Sequence, residues 1–210
     1  MEEAATPEQY NLHFTPTSCQ STDLIYEVDG DSYKVDYSGC AAPPFLSFQG
    51  QTYTFLQLHI HSISEHRIGS THHDAEVHLV HLQDGTDSSL LVVGILIDSS
   101  LYGDNGEIDK LWSVLNVGER NTTEKAFPSD VYAMLPATPS YVHYMGSLTT
   151  PPCTEGVKWI VMTNPILMSD LQLQEYRHHS AIVLDSKVDE HGNTNRPNQP
   201  LNNRTAMIVF

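Results

Sequence analysis

The sequence predicts a mainly β chain with short helices at its periphery. Three observations support this: short alternating or β-rich segments recur along the chain, Gly, Asp, Asn and Pro punctuate the gaps between them, and only two stretches carry a helical period.

In chain order the predicted strands cover residues 24–28, 32–37, 52–61, 75–82, 90–97, 157–163 and 206–210. From Phe55 to His61 the odd positions are aromatic or polar and the even ones aliphatic, which is the period of a strand. Residues 90–97, interrupted only by Gly94, form the longest apolar run; it is far too short to cross a bilayer and reads as a buried strand. One helix is predicted over 108–117, where Leu111, Trp112 and Leu115 recur near 3.6 residues, and a second from 170 to about 178 behind a capping Ser169. Pro136, Pro139, Pro151, Pro152, Pro197 and Pro200 mark extended loops. With no internal repeat or long linker, residues 1–210 are expected to form one continuous domain.

Hydrophobic residues make up 40% and charged residues 17%, the composition of an ordered chain. The formal net charge of −16 would repel nucleic acid and anionic membranes, so neither is expected as a partner. The opening Met1-Glu2-Glu3 lacks the basic, apolar start of a signal peptide. Cys19, Cys40 and Cys153 permit one disulfide, and counting does not choose among the pairings. Asn121-Thr122-Thr123 fits a surface glycosylation acceptor; Asn203-Arg204-Thr205 adjoins an apolar ending and is expected to be less accessible. Both are hints of a secreted, extracellular or luminal protein.

The chemistry concentrates in two strands. On a strand, His59 and His61 share one face and can converge on one small ion, whereas helical spacing would splay them. In the next strand Glu76, His78 and Val80 share a face, and the turn-forming Gly69-Ser70-Thr71 and Asp74 can return it antiparallel beside the first. Gln57 and Glu76 each lie two residues before a candidate ligand, placed to accept the proton of its rear nitrogen. Spending Gln, His and His on one apolar strand carries a desolvation cost that metal coordination offsets. Three neutral nitrogen ligands leave zinc an open fourth position, as in catalytic sites.

These residues resemble the α-carbonic anhydrase family through several ordered blocks. They are Gln57-Leu58-His59-Ile60-His61, Ser64-Glu65-His66, residues 75–81, Gly146-Ser147-Leu148-Thr149-Thr150-Pro151-Pro152-Cys153, Trp159-Ile160-Val161 and residues 196–204. The resemblance implies a large twisted, mostly antiparallel central sheet with zinc at the bottom of a conical cleft. It implies zinc-dependent reversible hydration of carbon dioxide to bicarbonate by metal-bound hydroxide, with Zn2+ on His59, His61 and His78. In that pattern Thr149 passes its hydroxyl proton to Glu65 and so orients the hydroxide, while Val80, Val92, Leu148, Thr150, Val157 and Trp159 line the carbon dioxide pocket. The alternative is a catalytically silent storage, matrix or binding relative. A structural site would need a fourth ligand, for which His66 and His81 are the nearest candidates.

The chain departs from the family pattern in three places. It starts after the usual N-terminal Gln-Ser-Pro-Ile-like segment, which would contain the usual disulfide partner of the counterpart of Cys153. Cys153 is therefore expected to be free or to use Cys19 or Cys40. Asp31 stands where fast members carry a proton-shuttling histidine, so turnover is expected to be limited by proton transfer. His72 and His73 are alternative shuttles, though an exposed turn is their simpler role. Ser62 follows the His-Ile-His run where an aromatic residue is common.

Overall fold

A computed structural model describes residues 11–17, 19, 24–29, 32–115, 130–138, 140–183 and 193–210. The strands are β1 (Leu12–Thr15), β2 (Ile25–Asp29), β3 (Ser32–Asp36), β4 (Phe45–Phe48), β5 (Gln51–His61), β6 (Arg67–Ile68), β7 (Thr71–His72), β8 (Ala75–Gln83) and β9 (Leu90–Ser100). Helix α1 (Gly106–Leu115) and a 3-10 turn (Val131–Met134) precede β10 (Tyr141–Ser147) and β11 (Glu155–Ser169), and α2 (Asp170–Val183) leads to β12 (Met207–Val209).

Ten strands form one sheet in the order β1-β4-β5-β8-β9-β11-β10-β12, with β3 also pairing β5 and β2 pairing β3. Among the described residues only β9 and β11 pair in parallel, and every other ladder is antiparallel. The expected mostly antiparallel sheet is therefore present, with a mixed centre. Strands buried on both faces read as continuous apolar runs. Accordingly, β9 sends Leu91, Val93, Ile95 and Ile97 into the larger core and Val92 and Leu96 into a smaller cluster on the opposite face. Both helices cover the larger core, α1 through Ile108, Leu111 and Trp112 and α2 through Leu173 and Tyr176. The smaller cluster faces the candidate site.

Several expectations need correction. Strands β1, β4, β10 and the two-residue β6 and β7 were not foreseen; β10, Tyr-Val-His-Tyr-Met-Gly-Ser, mixes polar and aromatic residues because Tyr141 and His143 pack inward while its partners set the register. Strand β11 runs past Thr163, and Pro165 is accommodated at the register shift between Met162 and Ile166. The alternation of residues 55–61 also breaks. A bulge between Phe55 and Gln57 turns Phe55 to the larger core beside Leu58 and Ile60, away from the face of Gln57, His59 and His61.

Helix α2 extends to Val183 behind a capping box in which Ser169 Oγ accepts from the Gln172 amide at 3.2 Å and Gln172 Oε1 accepts from the Ser169 amide at 2.9 Å. The end of the first predicted helix, Pro139 and the acceptor Asn121-Thr122-Thr123 lie outside the described residues. Cys19 and Cys40 form a disulfide, and Cys153 is free. Asn203, expected to be sheltered, is exposed in a tight turn with φ 66°. No helix among the described residues is long and apolar enough to cross a membrane.

Candidate metal centre

The β5–β8 ladder sets His59 opposite His78 and His61 opposite Glu76. The β6–β7 hairpin between them turns at Gly69, whose φ of +73° suits glycine. One nitrogen from each of His59, His61 and His78 comes within 4.8 Å of the others. His61 and His78 are fully buried or nearly so, at 0% and 1% exposed.

The rear nitrogens fix the tautomers. His59 Nδ1 lies 2.9 Å from Gln57 Oε1, His61 Nδ1 3.3 Å from the Thr194 carbonyl oxygen, and His78 Nε2 3.0 Å from Glu76 Oε1. An amide oxygen, a carbonyl and a carboxylate can only accept, so in each pair the imidazole donates and its other nitrogen carries a lone pair. Two of those lone pairs, on His59 Nε2 and His78 Nδ1, face each other at 3.1 Å. Two acceptors at that separation repel unless a cation lies between or in front of them. The donor set, three neutral imidazoles of fixed tautomer converging in a buried site, fits zinc. Burial, followed by the neighbouring His78 and His61, holds the His59 pKa well below its usual value, so this ring stays neutral as a ligand must.

Glu76 is fully buried and serves four donors. Oε1 accepts from His78 Nε2 and, at 2.6 Å, from His66 Nδ1; Oε2 accepts from the backbone amides of Glu65 and His66, both at 2.9 Å. Burial alone would raise its pKa, but the electrostatics of the adjoining His66 and His78 rings and their hydrogen bonds hold it well below the carboxylate range. His66 shows the complement: burial pulls it down, and Glu76 outweighs burial and raises it. The other ring nitrogen of His66 meets Tyr144 Oη at 2.6 Å. His66 is thus a support of Glu76 rather than a fourth ligand. His81 lies on the other sheet face, bonded to Tyr132 Oη at 3.0 Å, and burial lowers its pKa to about 3.

Glu65 Oε2 approaches His61 Nε2 at 3.6 Å and His78 Nδ1 at 3.9 Å. Its Oε1 accepts from the Arg196 amide at 2.7 Å, while Oε2 is buried with no hydrogen-bond partner among the described residues. Glu65 and Thr149 both line a cavity of about 550 Å³ that also borders Tyr144, Ser147 and Arg196. Val80, Val92, Val157 and Trp159 form one buried cluster with Leu148 packed against it, and Leu96 and Val161, not among the pocket residues expected from the sequence, belong to it as well. Thr150 is half-buried in the turn that Cys153 closes by donating its amide to the Thr150 carbonyl at 2.9 Å.

Asp31 lies outside the described residues. His72 and His73, expected in an exposed turn, are half-buried and engaged: His72 Nδ1 meets the Ser64 carbonyl oxygen at 2.7 Å, and His73 Nδ1 meets Asp98 Oδ1 at 2.8 Å. Thr194, which takes the rear nitrogen of His61, sits in a loop 133 residues away, and no local pattern announces it. Ser62 acquires a role from the same loop and from α2. Its amide donates to Thr194 Oγ1 at 3.3 Å, and its Oγ accepts from Arg177 Nε at 3.0 Å. A small polar residue there ties α2 to the end of the histidine-bearing strand.

The model of the family described as eukaryotic-type carbonic anhydrase matches residues 2–210. Among curated proteins, the carbonic anhydrase of Klebsiella pneumoniae is 32% identical over 162 residues, covering 77% of this chain and 60% of its own length. That of Nostoc sp. is 32% identical over 194 residues, covering 91% and 66%. The chain thus spans less than two thirds of the length of these two relatives. Human carbonic anhydrase 7 is 31% identical over 228 residues, covering 98% of this chain and 83% of its own. Among solved structures, a hyperthermostable carbonic anhydrase from an active hydrothermal vent chimney superposes with a TM-score of 0.78 at 30% identity, covering 98% of this chain and 83% of that one.

Proposed function

Because this chain belongs to the eukaryotic-type carbonic anhydrase family, we propose that it catalyses the reversible hydration of carbon dioxide to bicarbonate and a proton, with zinc held by His59, His61 and His78. The observation that carries this reading is the pair of facing lone pairs on His59 Nε2 and His78 Nδ1, 3.1 Å apart with both rear nitrogens committed to acceptors.

Zinc held there would supply a hydroxide nucleophile near neutral pH by lowering the pKa of water to about 7, an effect for which carbonic anhydrase is the standard example. The protein's own groups do the rest. Gln57, Thr194 and Glu76 keep the three imidazoles in the ligating tautomer. Arg196 holds Glu65 by one oxygen and leaves the other to accept the hydroxyl proton of Thr149, so that the Thr149 oxygen accepts from the nucleophile and turns it toward substrate. Val80, Val92, Leu148, Val157 and Trp159, which pack together on one sheet face, and with them Thr150, bound the pocket for carbon dioxide, a gas that needs little hydrogen bonding, and keep competing water off one side of the nucleophile.

With Asp31 at the shuttle position, proton export limits turnover, and added imidazole buffer accelerates it. Residues 1–210 act as one catalytic domain, and the Cys19–Cys40 disulfide suits a secreted, extracellular or luminal setting. Stopped-flow carbon dioxide hydration, run beside elemental analysis before and after chelation, tests the reading. Activity that tracks bound zinc is expected; a zinc-loaded protein without hydratase activity would refute it.

A further inference from the structure

The long apolar strand β9 is interrupted on its cleft-facing side by one residue without a side chain. Gly94 lies between Val92 and Leu96, both in the cluster beside the candidate metal centre. It pairs with His78 on one side and with Val161 on the other. Its backbone is not in the left-handed region, so conformation does not call for glycine. A glycine inside a strand packs nothing and orders at an entropic cost, and it often marks a close approach by another group.

The approaching group is Glu76. A Cβ built on Gly94 would fall 2.6 Å from Glu76 Oε1, whereas carbon and oxygen approach in favourable contacts to about 3.3 Å. Its other neighbours, Glu76 Cδ and Val161 Cγ2, stand at an ordinary 3.7 Å. Glu76 cannot yield freely, because its oxygens serve His66 Nδ1, His78 Nε2 and the amides of Glu65 and His66. A shift of several tenths of an ångström would be taken up first by the 3.0 Å bond to His78, the longest of the four.

We infer that Gly94 is a positioning residue for the metal centre: its missing side chain makes the space in which Glu76 holds the ring of His78 in the ligating tautomer and orientation. The inference rests on the reading of His59, His61 and His78 as zinc ligands. A methyl at position 94 acts on the metal only through Glu76, so its effect depends on the length of that side chain.

The test is a double-variant cycle on the metal-free protein, with zinc dissociation constants from chelator competition and urea midpoints for the parent, Gly94→Ala, Glu76→Asp and the combined variant. Gly94→Ala is expected to weaken zinc binding about 10- to 100-fold, the range for losing a ligand's supporting contact, and to lower the metal-free urea midpoint as well, because the displaced carboxylate strains hydrogen bonds the fold itself uses. In the Glu76→Asp background the carboxylate is drawn back, and adding Gly94→Ala is expected to change zinc affinity by less than about twofold. An unchanged affinity in Gly94→Ala, or an equal loss in both backgrounds, overturns the inference. If Gly94→Ala does not fold, recovery of folding and zinc binding in the combined variant upholds the inference, and absence of recovery overturns it. A parent that binds no zinc overturns the zinc reading itself, whereas a zinc-binding parent with an unaffected variant overturns only the role of Gly94.

Discussion

His59 and His78 stand opposite each other on the β5–β8 ladder with Nε2 and Nδ1 3.1 Å apart, each ring anchored behind by an oxygen that can only accept. Removing either ring leaves two nitrogens, too few to retain zinc tightly. His78→Ala is therefore expected to purify folded but zinc-poor, with carbon dioxide hydration at the uncatalysed background. Elemental analysis, circular dichroism and stopped flow check this, and full activity in the variant would reject the ligand assignment.

Gln57 acts on zinc only through the 2.9 Å contact with His59 Nδ1. Gln57→Ala is expected to lower zinc affinity about tenfold, the smaller end of the range for such partners, with turnover of the zinc-saturated enzyme changed far less. Chelator competition measures the first quantity and stopped flow at saturating zinc the second.

Thr149 gives the opposite pattern. Thr149→Ala removes the proposed link between nucleophile and Glu65 without touching a ligand, so kcat/KM is expected to fall about 100-fold while zinc affinity holds. A parallel loss of zinc would show that Thr149 acts on the site's structure instead.

The metal-free protein is expected to lose stability on acidification. Burial lowers His81 from 6.5 to about 3, and His59 also lies well below 6.5, so below pH 6.5 the unfolded chain takes up protons that the folded chain refuses. Each such group costs about 1.4 kcal/mol per pH unit, for His81 down to about pH 3. His66 runs the other way: its raised pKa contributes stability that is fully present below 6.5 and fades as pH rises through the folded value. Urea titrations from pH 7 to 4 measure the slope, and a flat profile would contradict the buried neutral state of His81.

Reduction of Cys19–Cys40 releases a closure spanning 21 residues, for which chain entropy gives a loss of about 3 kcal/mol. The urea midpoint with and without reductant tests this. Because the disulfide lies outside the metal centre, zinc content is expected to persist at low urea.

The histidine trio was legible because two local signals agree. Alternation across 57–61 puts Gln57, His59 and His61 on one face, and the turn residues near Gly69 return β8 antiparallel, so Glu76 and His78 arrive opposite. Thr194 was not legible, because its carbonyl reaches His61 from a loop whose sequence carries no mark of that contact. The support of Glu76 by His66 and of His66 by Tyr144 depends on β10 lying beside β11, a pairing fixed across the sheet rather than within β10. Pro165 hid the second half of β11 because a proline normally ends a central strand, and here a local irregularity absorbs it.

The extra residue near Leu56 has a consequence for how this family member can vary. Ahead of it Phe55 serves the hydrophobic interior, and behind it imidazoles serve the opposite surface, all within one β5. Swapping one side chain there perturbs one contact, but deleting a single residue inverts which side every preceding group addresses. Evolution can repaint this strand far more easily than it can shorten it.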